Sequence, residues 1–297
     1  MHSRFVHVSV LLVLVMASPL FANEKKPFLP KGIALEEQPA NGKLKKIVFI
    51  AGSNYYKPGE HEYIGGCAVL MDLVKQTPGV FPVLALDWPT NPKTFESAAA
   101  VVFFLDGGAK HPASRDAKLA QIAKLAEAGA GLVMLHQGVD VDKKLGARAQ
   151  GWMGAVWEKG YSQRAHWIYE FNDFPKHPIT RGVKKFKIDD GYLFKLRFAP
   201  AMKGVTPLLR TVNPKTPNAK IDDASIVAWA FEREAGGRSF AFTGGHLHAS
   251  LAEEGYRRFL VNGILWSANV EIPAAGAPVA LTPEALNRYI ENRPLPR

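Results

Sequence analysis

The chain has 297 residues, of which 47% are hydrophobic and 22% are charged, and it contains 26 glycines, 21 prolines and one cysteine. This composition is that of an ordinary folded protein, and it excludes a mainly disordered or collagen-like chain. The formal net charge of +10 would suit a nucleic-acid partner only if the basic residues were clustered. They are spread along the sequence without a nucleic-acid-binding motif, so we expect no nucleic-acid partner.

The first residues have the pattern of a secretory signal peptide. Arg4 precedes an apolar run over residues 5–17, and small residues follow as far as Ala22. We therefore predict a signal peptide over residues 1–22, cleavage near Ala22, and a secreted or periplasmic protein with no stable membrane insertion after cleavage. The apolar run is shorter than the about 20 residues of a membrane span, although an uncleaved anchor is the alternative. Cys67 has no partner cysteine, so the hydrophobic core must supply the stability.

The remaining chain divides into a leader, one domain and a C-terminal extension. Residues 23–45 lack apolar periodicity, the domain is predicted over 46–272, and the extension covers 273–297. Continuous apolar runs alternate with helical patterns in the first half of the domain, which is typical of a mostly parallel, doubly wound α/β sheet. The predicted strands are 47–51, 81–86, 100–105 and 131–135, and the predicted helices are 62–76 and 117–127.

The second half of the domain begins with an aromatic-rich segment over residues 151–200. We interpret this segment as an irregular insertion or lid, after which strands are predicted at 205–212, 225–231 and 239–243. Helices are predicted at 252–267 and 283–291. Flat aromatic faces beside hydrogen-bonding groups suit sugar rings, although a hydrophobic plug under a loop is the alternative. The candidate substrate-binding residues are Trp152, Trp157, Tyr161, His166 and Tyr192.

Histidines follow three of the predicted core strands. His61 and Glu62 come after the first strand, His136 directly follows residues 131–135, and His246 and His248 follow a Gly-Gly turn. Ligands of open α/β sheets bind at the carboxyl ends of the strands, so this placement predicts a functional site. His136 could instead satisfy a turn, and His61 with Glu62 could be a helix N-terminal pair.

Two chemistries fit these residues, and their spacing does not decide between them. A divalent metal such as zinc could be held by His61, Glu62, His136 and His248. Metal-free acid–base catalysis could use His136, His246 and His248, with Asp190 orienting a histidine or contacting a hydroxyl.

Several short motifs follow one another in a fixed order over roughly residues 45–273. The first half contains Val48-Phe49-Ile50-Ala51-Gly52, His61-Glu62-Tyr63, Gly65-Gly66-Cys67 and Leu135-His136. The second half contains His177-Pro178-Ile179-Thr180-Arg181-Gly182, Asp189-Asp190-Gly191-Tyr192, Val227-Ala228-Trp229, Gly237-Arg238-Ser239 and Gly244-Gly245-His246. Together, in this order, these motifs resemble the trehalose-utilisation (ThuA-like) family.

This resemblance implies a flavodoxin-like three-layer sandwich of the class I glutamine amidotransferase-like kind. His136 stands where the amidotransferases have their cysteine, so glutamine amidotransferase activity is not expected. The resemblance implies an exported protein that processes a sugar or 3-keto-glycoside as a hydrolase, lyase or isomerase. A small carbohydrate is therefore the expected partner, and a homodimer is the assembly to be tested.

Three positions depart from the pattern associated with the family. Tyr63 stands where a second histidine often follows the glutamate, Asp190-Gly191 replaces a glutamate with a bulky neighbour, and Lys195 occupies a common histidine position. The alternative function is therefore a non-catalytic carbohydrate-binding or scaffold member.

Overall fold

A computed structural model describes Leu29, residues 32–53 and residues 56–290 of the chain. The predicted signal peptide and the first part of the predicted leader lie outside the described residues. Within the described ranges, no helix combines the length and the apolar character needed to cross a membrane.

Eleven strands and five α-helices make up the described fold. The strands are β1 (Lys45–Ala51), β2 (Val80–Leu86), β3 (Ala98–Phe104), β4 (Gly131–Leu135), β5 (Ala155–Val156), β6 (Gln163–Phe171), β7 (Phe186–Phe194), β8 (Arg197–Phe198), β9 (Val205–Arg210), β10 (Ile226–Glu232) and β11 (Arg238–Phe242). The helices are α1 (Tyr63–Val74), α2 (Asp116–Glu127), α3 (Gly146–Met153), α4 (Glu254–Ser267) and α5 (Pro283–Asn287).

A seven-stranded sheet forms the middle layer, in the order β2-β1-β3-β4-β11-β10-β9. Neighbouring strands from β2 to β11 are parallel, whereas β10 is antiparallel to both β11 and β9. The predicted mostly parallel α/β architecture is therefore confirmed. The continuous apolar runs of the central strands follow from burial on both faces of the sheet.

Each face of the sheet packs against its own pair of helices. In β1, Ile47 and Phe49 face the core that contains α1 and α4, whereas Val48 and Ile50 face the core that contains α2 and α3. This alternation follows from the two-residue period of a strand. The result is a three-layer sandwich.

The aromatic-rich segment contains more regular structure than the sequence interpretation proposed. β6 and β7 pair in an antiparallel register from Gln163 with Phe194 to Phe171 with Phe186, and β5 pairs with β8. In β7, Phe186, Ile188, Asp190 and Tyr192 are buried, whereas Lys187 and Asp189 are exposed. This alternation is typical of a strand, so the segment is less irregular than its aromatic composition alone indicates.

The segment after α4 packs onto the main core. Ala277, Val279, Leu286 and Tyr289 are buried in the same cluster as α1 and α4. Residues 273–290 therefore contribute to the stability of the sandwich, and the boundary predicted at residue 272 stays a prediction.

The sheet brings four loops to one edge. β1, β3, β4 and β11 are parallel neighbours, so their carboxyl ends meet at that edge. The loops that follow these strands carry His61, Asp106, His136 and His246.

Candidate active site

Three histidines from three different loops converge at the carboxyl edge of the sheet. His61, His136 and His246 each offer a ring nitrogen, and these atoms lie within 4.8 Å of one another. Nδ1 of His246 is 2.7 Å from Nε2 of His61. We call these residues the histidine cluster.

His136 is held in a strained turn at the end of β4. Its φ of 52° lies in the left-handed region, which a non-glycine residue adopts at a cost. The turn projects the imidazole above the sheet, as the nucleophile elbow does for a catalytic serine. Nδ1 of His136 lies 2.9 Å from the carbonyl oxygen of Thr243, which can only accept. The proton is therefore on Nδ1, and Nε2 presents its lone pair.

His61 also has a left-handed backbone, with a φ of 48°. Its ring stacks on Tyr56 at 3.9 Å between centroids, and its Nδ1 is 2.8 Å from the hydroxyl of Tyr63. Both tyrosine hydroxyls donate to Oδ1 of Asp106 at 2.8 Å. Two tyrosines joined through one carboxylate therefore fix the orientation of this ring.

The loop that carries His246 is held by hydrogen bonds to two other parts of the chain. Its carbonyl accepts a 2.8 Å hydrogen bond from the backbone N–H of His61. The buried carboxylate of Asp190 accepts backbone bonds from Gly245 at 2.9 Å, His246 at 2.8 Å and Gly191 at 2.8 Å. Asp190 thus positions the loop that carries His246, and its carboxylate is occupied by backbone donors.

Burial makes the histidine cluster uncharged at neutral pH. Burial, together with the neighbouring His246, lowers the pKa of His61 to about 4. Burial also lowers the pKa of His136 well below its ordinary value, and it lowers that of His246 with a contribution from His166. Neutral imidazoles are the form that binds a metal or accepts a proton.

A polar and aromatic rim lies beside the histidine cluster. The ring of His166 on β6 is 5.3 Å from that of His246, and its Nε2 is 3.7 Å from Oδ1 of Asp189. The guanidinium of Arg164 lies over the Trp157 ring at 4.3 Å and pairs with Oδ2 of Asp140 at 3.2 Å. The rim therefore offers a flat face beside hydrogen-bonding groups.

Two predicted metal ligands lie outside the histidine cluster. Nε2 of His248 is 2.8 Å from the carbonyl oxygen of Leu286, and its Nδ1 is buried without a hydrogen-bond partner among the described residues. Oε1 of Glu62 accepts the backbone N–H of Gly59 at 2.7 Å. Both side chains line a small apolar cavity of about 20 Å³ beneath Gly245. The structure brings His246 into the position that the sequence assigned to His248.

The predicted aromatic residues are dispersed. Trp157 lies at the rim, whereas Trp152 is buried and its carbonyl accepts from Ser239, at the opposite end of β11 from the histidines. Tyr192 is fully buried, and its ring lies 4.7 Å from that of Trp167. The ring of Tyr161 is covered by the guanidinium of Arg197 at 3.3 Å. Core packing accounts for Trp152 and Tyr192, and a cation–π contact accounts for Tyr161. Trp157 also has a cation–π contact, but its partner Arg164 belongs to the rim.

Four residues at the site were not anticipated from the sequence. Asp106 and Tyr56 hold His61, and Arg164 with its partner Asp140 forms part of the rim. Asp106 follows the buried strand β3 directly. Asp106 shares with His136 the sequence signal of a polar residue just after a core strand, and this signal could have identified it.

The donor set of the histidine cluster fits a divalent transition metal. Zinc binds imidazole nitrogens at about 2 Å, so two ligand nitrogens of one ion lie roughly 3 to 4 Å apart. The nitrogen separations of 2.7 Å and at most 4.8 Å bracket this range. His61, His136 and His246 are the described residues that could hold the ion.

Residues 51–267 match the family described as Trehalose utilisation (ThuA). The chain belongs to this family. No curated protein matches the sequence.

Solved structures resemble the ThuA-family fold described above. A protein described as ThuA-like from Bacteroides uniformis ATCC 8492 has a TM-score of 0.54 and 15% identity, over 78% of this chain and 95% of that one. The structure of PurLQS from Thermotoga maritima has a TM-score of 0.41 and 17% identity, over 76% of this chain and 98% of that one. At 15% identity, the likeness to the Bacteroides uniformis protein concerns the fold alone, and it agrees with the mostly parallel α/β architecture of the sheet.

Proposed function

We propose that this chain is an exported enzyme that processes a sugar or a 3-keto-glycoside at a divalent metal ion held by His61, His136 and His246. The convergence of three uncharged imidazoles at the ligand-binding edge of the sheet carries the proposal. Because the chain belongs to the trehalose-utilisation family, we propose a carbohydrate as the substrate.

The chain supplies both ligands and substrate contacts in this proposal. A zinc or similar ion, when bound, would act as a Lewis acid on a carbonyl or on a pair of hydroxyls. Trp157 offers its ring to a sugar face, while Arg164 and Asp140 offer a hydrogen-bond donor and an acceptor to its hydroxyls. A ring with several hydroxyls could satisfy these groups together.

His166 is the group proposed to move a proton. It is exposed, it lies beside His246, and Asp189 stands close enough to orient it. A histidine close to a reacting carbonyl can take a proton from the adjacent carbon or give one to a leaving oxygen. The same residue would serve as the base in a metal-free version of the reaction.

A non-catalytic carbohydrate-binding role is the second candidate. The hydroxyl of Tyr63 is engaged by His61 and Asp106, and the Lys195 ammonium lies 5.2 Å from the centroid of the Tyr161 ring. Neither position adds a ligand to the histidine cluster. A site with three ligands and an aromatic rim could therefore hold a sugar without transforming it.

Turnover assays separate the two candidates. The purified protein would be offered 3-keto-disaccharides and the parent disaccharides, after chelation and again after zinc is restored. We expect turnover that depends on the metal and falls at least a hundredfold in His136→Ala and His166→Ala, with His177→Ala as the control. Saturable sugar binding without turnover would favour the binding role, and full turnover in His136→Ala would contradict the site.

A further inference from the structure

We infer that Tyr63 and Asp106 act as a positioning pair that keeps the proton of His61 on Nδ1, so that Nε2 faces the histidine cluster as a lone pair. The inference rests on the proposed function, because this lone pair matters most as a metal ligand. It concerns two residues outside the histidine cluster, of which Tyr63 contacts the Nδ1 atom of His61 and Asp106 accepts from Tyr63.

The direction of each hydrogen bond follows from the groups that make it. Asp106 accepts from the hydroxyls of Tyr56 and Tyr63 at 2.8 Å, and its Oδ2 also pairs with Lys110 at 2.8 Å. A carboxylate held by an ammonium group and two hydroxyls can only accept. The single hydroxyl proton of Tyr63 is therefore committed to Asp106.

The remaining contact of Tyr63 then determines the state of His61. Its oxygen lies 2.8 Å from Nδ1 of His61, and because its proton points to Asp106 it must accept there. Nδ1 of His61 therefore carries the proton, and Nε2 is unprotonated and lies 2.7 Å from Nδ1 of His246. Burial, with the Asp106 carboxylate nearby, raises the pKa of Tyr63 far above its ordinary value, so the phenol remains protonated.

The arrangement resembles the outer-shell bond that orients most metal-ligating histidines, with one difference. A histidine ligand usually donates its second N–H directly to a carboxylate or carbonyl. Here Tyr63 stands between the imidazole and the carboxylate, and Tyr56 stacks on the ring from the side. Removing the Tyr63 hydroxyl should leave the imidazole of His61 in place, but its proton should no longer be restricted to Nδ1.

The test compares Tyr63→Phe with Tyr289→Phe. Tyr289 also donates to an aspartate, Asp72 at 2.6 Å, and among the described residues no hydrogen bond of its hydroxyl involves a histidine, so it is a matched control. Nitrogen NMR of the imidazoles in the metal-free full chain reports the tautomer of His61, with His61→Ala for assignment. Zinc affinity is measured on the same samples by competition with a chelator. Should Tyr63→Phe not fold, Asp106→Ala, which removes the acceptor of the Tyr63 hydroxyl proton, replaces it.

We expect His61 to be protonated on Nδ1 in the wild type and in Tyr289→Phe, and to populate the Nε2 tautomer in Tyr63→Phe. Zinc affinity should fall ten- to a hundredfold in Tyr63→Phe and stay within threefold in the control. An unchanged tautomer in Tyr63→Phe overturns the inference, whatever happens to zinc. A wild type that binds no zinc contradicts the proposed function, and the tautomer comparison then decides the inference by itself.

Discussion

At the scale of single residues, the histidine cluster combines backbone strain with buried imidazoles. His61 and His136 both hold a left-handed backbone, which costs a residue with a side chain about 1 kcal/mol or more. Both rings are buried and hydrogen-bonded at Nδ1. Such positions persist when the surrounding structure over-determines them, and they concentrate at functional sites.

Comparing His136→Gly with His136→Ala isolates this strain. Both variants remove the imidazole, but glycine adopts the left-handed conformation at no steric cost. We expect His136→Gly to be more stable than His136→Ala by about 1 kcal/mol in urea-induced unfolding. Equal stability, or greater stability of the alanine variant, would show that the turn is not strained.

The buried side chain of His111 should make the stability of the protein depend on pH, independently of the histidine cluster. Its Nδ1 accepts from the backbone N–H of Ala113 at 3.0 Å, and its Nε2 donates to the carbonyl of Gly138 at 3.1 Å. Burial lowers its pKa from 6.5 to about 4. The unfolded chain therefore takes up a proton first as the pH falls, so stability is retained above pH 6.5 and is lost between pH 6.5 and about 4.

His111→Asn keeps an acceptor for Ala113 and removes the titrating group. We expect the variant to lose roughly 3 kcal/mol less than the wild type between pH 7 and pH 4, measured as the free energy of unfolding. His61 and His136 titrate in both proteins, so their contribution cancels in the comparison. Parallel pH profiles would exclude a neutral buried His111.

At the scale of elements, the β6–β7 hairpin is joined to the loop after β11 through Asp190. The Asp190 side chain extends from β7 and accepts hydrogen bonds from the backbone N–H groups of Gly245 and His246. Gly191 follows directly, and a Cβ there would lie 3.1 Å from Cβ of His246. The hairpin and the histidine loop therefore behave as one unit.

Asp190→Ala should loosen this unit more than Asp190→Asn does. Alanine leaves three backbone donors without an acceptor in the core, which we expect to cost about 2 to 4 kcal/mol of unfolding free energy. Asparagine retains one acceptor oxygen, so the loss of unfolding free energy in Asp190→Asn should be about half as large. Hydrogen exchange at residues 245–247 should rise in the alanine variant, and unchanged protection there would contradict the connection.

The sequence predicts most elements of the sheet but not the hairpin. Strands such as residues 131–135 are recognisable because burial on both faces requires a continuous apolar run. In β7 the alternation of apolar residues is partly concealed, because Asp190 occupies one of the buried positions and its burial depends on donors from residues 245 and 246. Those donors come from a distant part of the chain and cannot be read from the local pattern.

At the scale of the whole molecule, the order of the strands decides which polar residues meet. Placement after core strands identifies the correct edge for His61, His136 and His246, because parallel strands share their carboxyl ends. It does not distinguish His246 from His248, because the two residues are only two positions apart in the chain. The ring of His246 lies in the histidine cluster, whereas the ring of His248 contacts the carbonyl oxygen of Leu286.

The central claim is that His61, His136 and His246 hold one divalent ion. Its most direct test is zinc binding to the metal-free protein, measured by calorimetry for the wild type, His246→Ala and His248→Gln. We predict one zinc ion per wild-type chain, loss of at least a hundredfold in affinity for His246→Ala, and affinity within a few-fold of wild type for His248→Gln. No zinc binding by the wild type, or a greater loss in His248→Gln than in His246→Ala, would contradict it.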